Sequence, residues 1–287
     1  MVDGGEHMNP TQQKMTVAVS TSNSPDLQAL GLSEQHLKGA MAEIALQLLA
    51  IDVDLAYGGD LRQYEFSQLL FQLALRYTSN ADLRKRRIRV TNHLAWPVHI
   101  GEPLNQLDAL EEELQGVAKL SLLERDGTPM TMDTRRNLPT HVPSHDEWAS
   151  GLTAMRKFQS SSTDARVLLG GQVVNYKGHM PGVAEEAFLS LRDGKSLFLI
   201  GGFGGCTRDI AETLGLVKPW TGSRNCLPGR KEFEQWSSDD LNNGLSKEEN
   251  EILAETQFFG QFIVLLLRGI LRSRKQKAYQ VGKSEAD

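Results

Sequence analysis

Two adjacent carboxylates, Glu185 and Glu186, follow Met180, Pro181 and Gly182 in a stretch that reads as the first turn of a helix. Such a pair can stabilise an oxocarbenium-like transition state or activate water when an N-glycosidic bond is cut. Acids in a first turn also simply complement the helix dipole, so the pair by itself leaves both readings open. Arg156, one element upstream, supplies a cation for a phosphate. Around these residues lie two glycine corners, Gly170-Gly171 and Gly201-Gly202-Phe203-Gly204-Gly205, each closing a short apolar run. A buried strand, a glycine corner and a helix N-terminus together make a seat for phosphate or ribose groups. The helix starts at Gly182 and Thr207 are the expected phosphate positions. Cys206 stands near a helix start but has no base paired with it in sequence, which speaks against a nucleophile.

Earlier corners repeat the theme. A strand over 15–20 opens onto Ser20, Thr21 and Ser22, hydroxyl residues able to bond a ligand. A strand over 53–57 runs into Gly58, Gly59, Asp60, Leu61 and Arg62, where the acid would take a ribose hydroxyl and the base a phosphate. The plainer alternative is that Asp60 and Arg62 pair with each other or cap the next helix. A strand over 88–90 ends at Asn92 and His93, just after the basic cluster Lys85-Arg86-Arg87, which reads as a solvated corner.

The elements that must hold these corners are legible in the hydrophobic pattern. Ser33 is the expected N-cap of a helix with apolar positions at Leu37, Met41, Ile44, Ala45, Leu48 and Leu49. Helices are expected over 66–77, 105–117 and 147–159, the last capped by Ser144 or Asp146, and strands over 120–123, 166–169 and 197–200. Residues 124–145 have three prolines and no periodicity, and read as a long surface loop of the kind that forms lids or binding loops. Strand and helix alternate about six times, which predicts an α/β fold with a doubly wound, mostly parallel sheet. Ligands in such sheets bind at the carboxyl ends of the strands, where all these corners fall.

Residues 1–13 read as a disordered lead-in, 14–218 as the Rossmann-like domain, and 219–287 as an irregular connector followed by one apolar helix from Ser246 to about Leu271. That helix carries more apolar surface than one stripe needs, which predicts packing on the domain or between subunits, hence a homo-oligomer. Its apolar run over 258–271 is too short to span a bilayer, so no membrane is expected. A net charge of -5 argues against nucleic acid held by bulk electrostatics. Two cysteines and no signal-like start point to a reduced, cytoplasmic protein. No metal-ligand spacing occurs among the seven histidines, and no cofactor or metal is expected.

At Gly170-Gly171, Met180 to Glu186 and Gly201 to Gly205 the chain resembles the SLOG superfamily of Rossmann-like proteins. That group includes LOG-type phosphoribohydrolases, the DNA-processing protein DprA, domains related to TRPM channels and ligand sensors of bacterial Thoeris defence. Gly170-Gly171 is similar to the first half of the LOG signature Pro-Gly-Gly-x-Gly-Thr-x-x-Glu, and Gly182-Val183-Ala184-Glu185-Glu186 to its second half, with Glu186 at the glutamate position. Met155-Arg156-Lys157 is similar to the basic helix of those enzymes. Nine residues split the signature here, Val183 replaces its threonine, and the basic helix lacks its histidine. The resemblance therefore implies a nucleotide-derived ligand, related to NAD or ADP-ribose or a cyclic nucleotide, bound by a sensor that signals to an effector protein. The enzymatic alternative is hydrolysis of a nucleoside monophosphate by Glu186, Glu185 and Arg156, and a further one is DNA binding like that of DprA.

Overall fold

Buried strands rich in Val, Leu and Ile need cover on both faces, and the computed structural model gives it to them. It describes residues 14–59, 66–77, 88–220 and 226–284. The lead-in, Asp60, Arg62 and the Lys85-Arg86-Arg87 cluster lie outside the described residues. The strands are β1 (Thr16–Ser22), β2 (Asp54–Tyr57), β3 (Val90–Leu94), β4 (Ala118–Leu123), β5 (Pro129–Met130), β6 (Ala165–Gly170) and β7 (Ser196–Ile200). They form one sheet in the order β5-β4-β3-β2-β1-β6-β7, parallel throughout except for the antiparallel β4–β5 pair. The order reverses between β1 and β6, the doubly wound arrangement expected from the alternation.

The described helices are α1 (Glu34–Ala50), α2 (Phe66–Tyr77), α3 (Trp96–His99), α4 (Leu104–Glu113), α5 (Met132–Arg136), α6 (His145–Ser162), α7 (Gly182–Arg192), α8 (Gly205–Thr213), α9 (Lys247–Glu255) and α10 (Phe259–Ser284). Their starts follow local chemistry. Ser33 stands at the N-cap of α1. Ser144 caps α6: its hydroxyl accepts from Glu147 N while the Glu147 carboxylate accepts from Ser144 N, which selects Ser144 over Asp146. One face of the sheet packs on α1, α2 and α10 through Val17, Val19, Leu55, Val167, Phe198 and Ile200. Against the other face lie α7 and α8 around Leu168 and Leu199, and α3 and α6 around Leu94 and Leu122.

Three sequence expectations change. The third strand starts at Val90 instead of residue 88 and runs one residue past His93 to Leu94, so Asn92 and His93 lie within it. Residues 124–145 are not structureless: a hairpin forms β5, and Thr131, whose hydroxyl accepts from Thr134 N, caps α5. The terminal helix breaks at residues 256–258, giving α9 and α10, because Thr256 takes extended backbone and its hydroxyl accepts from Phe258 N. α10 then lies on the sheet, burying Phe262, Leu266 and Ile270 completely. Each such side chain contributes about 1.5–3 kcal/mol.

Candidate functional site

The reversal between β1 and β6 parts two strand ends, and each end carries the residues expected there. Gly170 and Gly171 turn the chain out of β6 with φ of 66° and 110°, conformations that exclude most side chains. Gly171 N–H donates to Ser22 O at 2.9 Å, and Gln172 N–H donates to Ser22 Oγ at 2.9 Å, so the strands stay tied as they part. Beyond them the β1–α1 loop, from Asn23 to Leu32, faces Gln172, Val173 and Val174 across a crevice of about 390 Å³. The crevice floor is polar at Asn23, Ser24 and Gln28 and apolar at Leu27 and Val173.

The second glycine corner is seated under that loop. Gly204 and Gly205 have φ of 74° and 65°, and a Cβ on Gly204 would lie 2.5 Å from the Asp26 Cβ. Gly205 N–H donates to Asp26 Oδ2 at 2.7 Å, so the chain's own carboxylate caps α8 where a ligand phosphate was expected. Cys206 N–H donates to Gly171 O at 3.0 Å, and a Cβ on Gly205 would lie 2.1 Å from that oxygen. The two corners are glycine-rich because they press on each other. Cys206 donates its thiol to Gln172 O at 3.0 Å, and burial, helped by Asp209, pushes its pKa up to about 12. That thiol is no nucleophile. Thr207 is fully buried in the first turn of α8.

Gly201, Gly202 and Phe203 face the C-terminal helices. A Cβ on Gly201 would lie 2.4 Å from Ala254 O, and one on Gly202 would lie 2.2 Å from Thr256 O. Phe203 meets Phe262 edge to face at 6.3 Å. Met180 packs beside the cluster of Leu168, Val183 and Phe233, and Pro181 stands at the N-cap of α7 ahead of Gly182.

The charged candidates form a layer between the sheet and helices α6 and α7. Arg156 bonds Glu185, which also accepts from Thr153, and its Nε lies 3.8 Å from Glu186. Arg166, on β6 and 1% exposed, places Nη1 3.4 Å from Glu186 Oε2 and 2.7 Å from Ser20 Oγ, while its Nε donates to Ser190 Oγ at 3.0 Å. Burial pulls its pKa below the usual arginine value, and the Glu186 charge opposes that pull. Glu185 and Glu186 are 8% and 7% exposed, so most of each carboxylate is committed to these arginines. The Arg156 fork runs along the start of α7: a Cβ on Gly178 or Gly182 would lie 2.8 Å from one of its nitrogens.

At the β2 and β3 ends, Gly59 N–H donates to Asn92 Oδ1 at 3.1 Å. Gly58 packs under Met155 and Gln159, and a Cβ there would lie 2.8 Å from the Met155 sulfur. Thr21 Oγ1 and Asn92 Nδ2 are buried with no partner among the described residues. His93 is buried edge to face on Phe158 at 5.4 Å, and burial, then the nearby Arg166 charge, lowers its pKa to about 4. Among the described residues no group of three or more His, Cys, Asp or Glu could hold a metal.

The structure thus gathers Ser22, Gly170 and Gly171 at the two strand ends that lead into the crevice lining, and Ser20, Arg156, Glu185 and Glu186 in the charged layer. It sets Gly201, Gly202 and Phe203 against the C-terminal helices. Sequence reading missed Asp26 and Arg166. Arg166 is a charge inside an apolar strand, a visible signal of a buried polar role. Asp26 bonds a residue 179 positions away, and nothing local announces that.

No curated protein matches this chain. The family model described as SLOG cluster2 matches residues 11–239, most of its length. With that match, the Rossmann-like sheet and the glycine corners at its reversal point, the chain belongs to the SLOG family of nucleotide-related Rossmann-like proteins, in the group called SLOG cluster2.

Proposed function

We propose that the chain binds a nucleotide-derived ligand, of the NAD, ADP-ribose or cyclic-nucleotide class, in the crevice between β1 and β6. The crevice itself carries this reading: it opens at the carboxyl ends of two parallel strands where the strand order reverses, and is walled by the loops that follow them. The start of α7, with Arg156 alongside it, is the anion position that goes with it, since Asp26 occupies the start of α8. The protein then acts as a cytoplasmic sensor, in bacterial antiviral defence, passing occupancy to an effector protein. Titration calorimetry against linear and cyclic ADP-ribose compounds and cyclic nucleotides tests this. Saturable binding of one class is expected, and uniform failure to bind sinks the reading.

A homo-oligomer goes with a sensor role. On the C-terminal helices Ile252, Val264 and Leu271 are 43%, 54% and 46% exposed, and the last two are two helical turns apart on one face. Light scattering is expected to give more than a monomer, and Val264→Glu with Leu271→Glu to reduce it.

A second reading has its own observation, the Arg156–Glu185–Glu186 cluster at the start of α7. It is hydrolysis of a nucleoside monophosphate to base and ribose phosphate. Incubation with AMP, GMP and CMP separates the two readings: release of free base that disappears in Glu186→Gln supports hydrolysis, and intact nucleotide supports binding alone.

A further inference from the structure

Away from the crevice, a larger cavity of about 610 Å³ lies between α3, the tip of the β4–β5 hairpin and the segment after α5. Pockets for small molecules run from about 300 to 1,000 Å³. Its aromatic wall is Trp96, with the Arg125 guanidinium 3.8 Å above the ring and the His141 ring 5.4 Å away. Glu147 holds both neighbours, with Oε1 2.7 Å from Arg125 Nη1 and Oε2 2.9 Å from His141 Nε2. Its bond to His141, with Ser144 N–H next, takes the Glu147 pKa down to about 2, so it remains a charged anchor at neutral pH.

The remaining walls are fixed by a costly device. Arg135 is fully buried, and its guanidinium donates to the carbonyls of His99, Ile100, Glu102 and Leu138 at 3.0–3.2 Å. Burying a guanidinium on neutral carbonyls alone is unfavourable. What it achieves here is a fixed backbone at Ile100 and Leu138, two apolar walls of the cavity. The hairpin tip is seated too: a Cβ on Gly127 would lie 2.7 Å from Ala154 O, and His99 Nε2 donates to Leu123 O at 2.8 Å. A site whose walls are already ordered loses less entropy when a ligand enters.

Charge and shape select the ligand. The cation position over Trp96 is filled by Arg125, whose own charge repels a second cation. Glu147 neutralises Arg125, and Glu124 and Asp126 stand on the hairpin tip, so an anion gains nothing. The side chain of Arg125 is 61% exposed, and its guanidinium is a planar stacking surface.

We propose that this cavity binds an uncharged, amino-substituted heteroaromatic ring of the nucleobase class, stacked on Arg125 with its N–H edge toward Glu124 and Asp126. This site is separate from the crevice and does not rest on the function proposed for it. The test is a titration of the full chain with guanosine and inosine, following the Trp96 indole N–H signal by NMR, assigned through its loss in Trp96→Phe. Guanosine should displace that signal saturably. Arg125→Ala should weaken guanosine about tenfold, the worth of one stacking contact. Inosine, lacking the amino group, should bind about fivefold more weakly, the worth of one hydrogen bond. An unmoved Trp96 signal, as when guanosine enters only the crevice, overturns the proposal, and so does unchanged affinity in Arg125→Ala. Equal affinity for the two nucleosides overturns the assigned edge.

Discussion

Arg166 Nη1 lies 3.4 Å from Glu186 Oε2, joining the start of β6 to the second turn of α7 with both side chains nearly removed from water. Removing one member of such a pair strands the other. Arg166→Met should destabilise the protein by about 3–5 kcal/mol, and Arg166→Met with Glu186→Met by clearly less than that. Urea denaturation of the two variants checks this. A double variant as unstable as the single one means the loss is one of packing alone.

Two buried histidines set the response to mild acid. His93 and His99 both have pKa values lowered from 6.5 to about 4, chiefly by burial. The unfolded chain takes up protons at these sites as pH falls below 6.5, and the folded one only near 4. Stability should therefore be full above pH 6.5 and fall progressively toward pH 4, by up to ~3 kcal/mol per site. His93→Phe should flatten the decline measured by urea midpoints between pH 7 and pH 4.5, and an unchanged slope would exclude His93 as a source.

The cysteines should separate cleanly by reactivity. Cys206 is buried with its pKa pushed up to about 12, and Cys226 is exposed. A neutral-pH thiol reagent should modify one equivalent at once, and the second only after denaturant is added. Mass spectrometry of the labelled peptides would refute this by finding Cys206 modified in the folded protein.

The glycine corners should differ in tolerance. Gly205→Ala meets Gly171 O at 2.1 Å, whereas Gly194 at φ of 62° has nothing within 4 Å of an added Cβ. Gly194→Ala should cost about 1–2 kcal/mol from backbone strain alone. Gly205→Ala should cost about 3 kcal/mol or more, since two backbones must separate. Thermal melts would show the order, and equal losses would mean the corners can part freely.

Much of the fold was readable because its strands are short runs of Val, Leu and Ile closed by glycine, and its helices carry Ser caps at residues 33, 144 and 246. The β5 hairpin was not, since two residues of strand leave no period to detect. Gly170, Gly171 and Ser22 were legible as strand ends, because glycine and small hydroxyl residues close the two apolar runs there. The glycines at 201 and 202 were misleading for a physical reason. A glycine records that something comes close to the backbone, and sequence does not say whether that is a ligand or a carbonyl of α9. Asp26 was hidden because its partner is distant in sequence.

The contact of Gly201 and Gly202 with Ala254 and Thr256 also decides where this chain can be cut. The family match ends at residue 239, yet β7 and its corner are roofed by α9 and α10, and Gly269 lies against Phe198. A fragment trimmed to the matched span would leave Phe198 and Phe203 bare to solvent and prone to aggregation. Expression boundaries, and any deletion meant to probe assembly, should therefore keep α10 at least through Ile270 and alter its outer face by substitution instead.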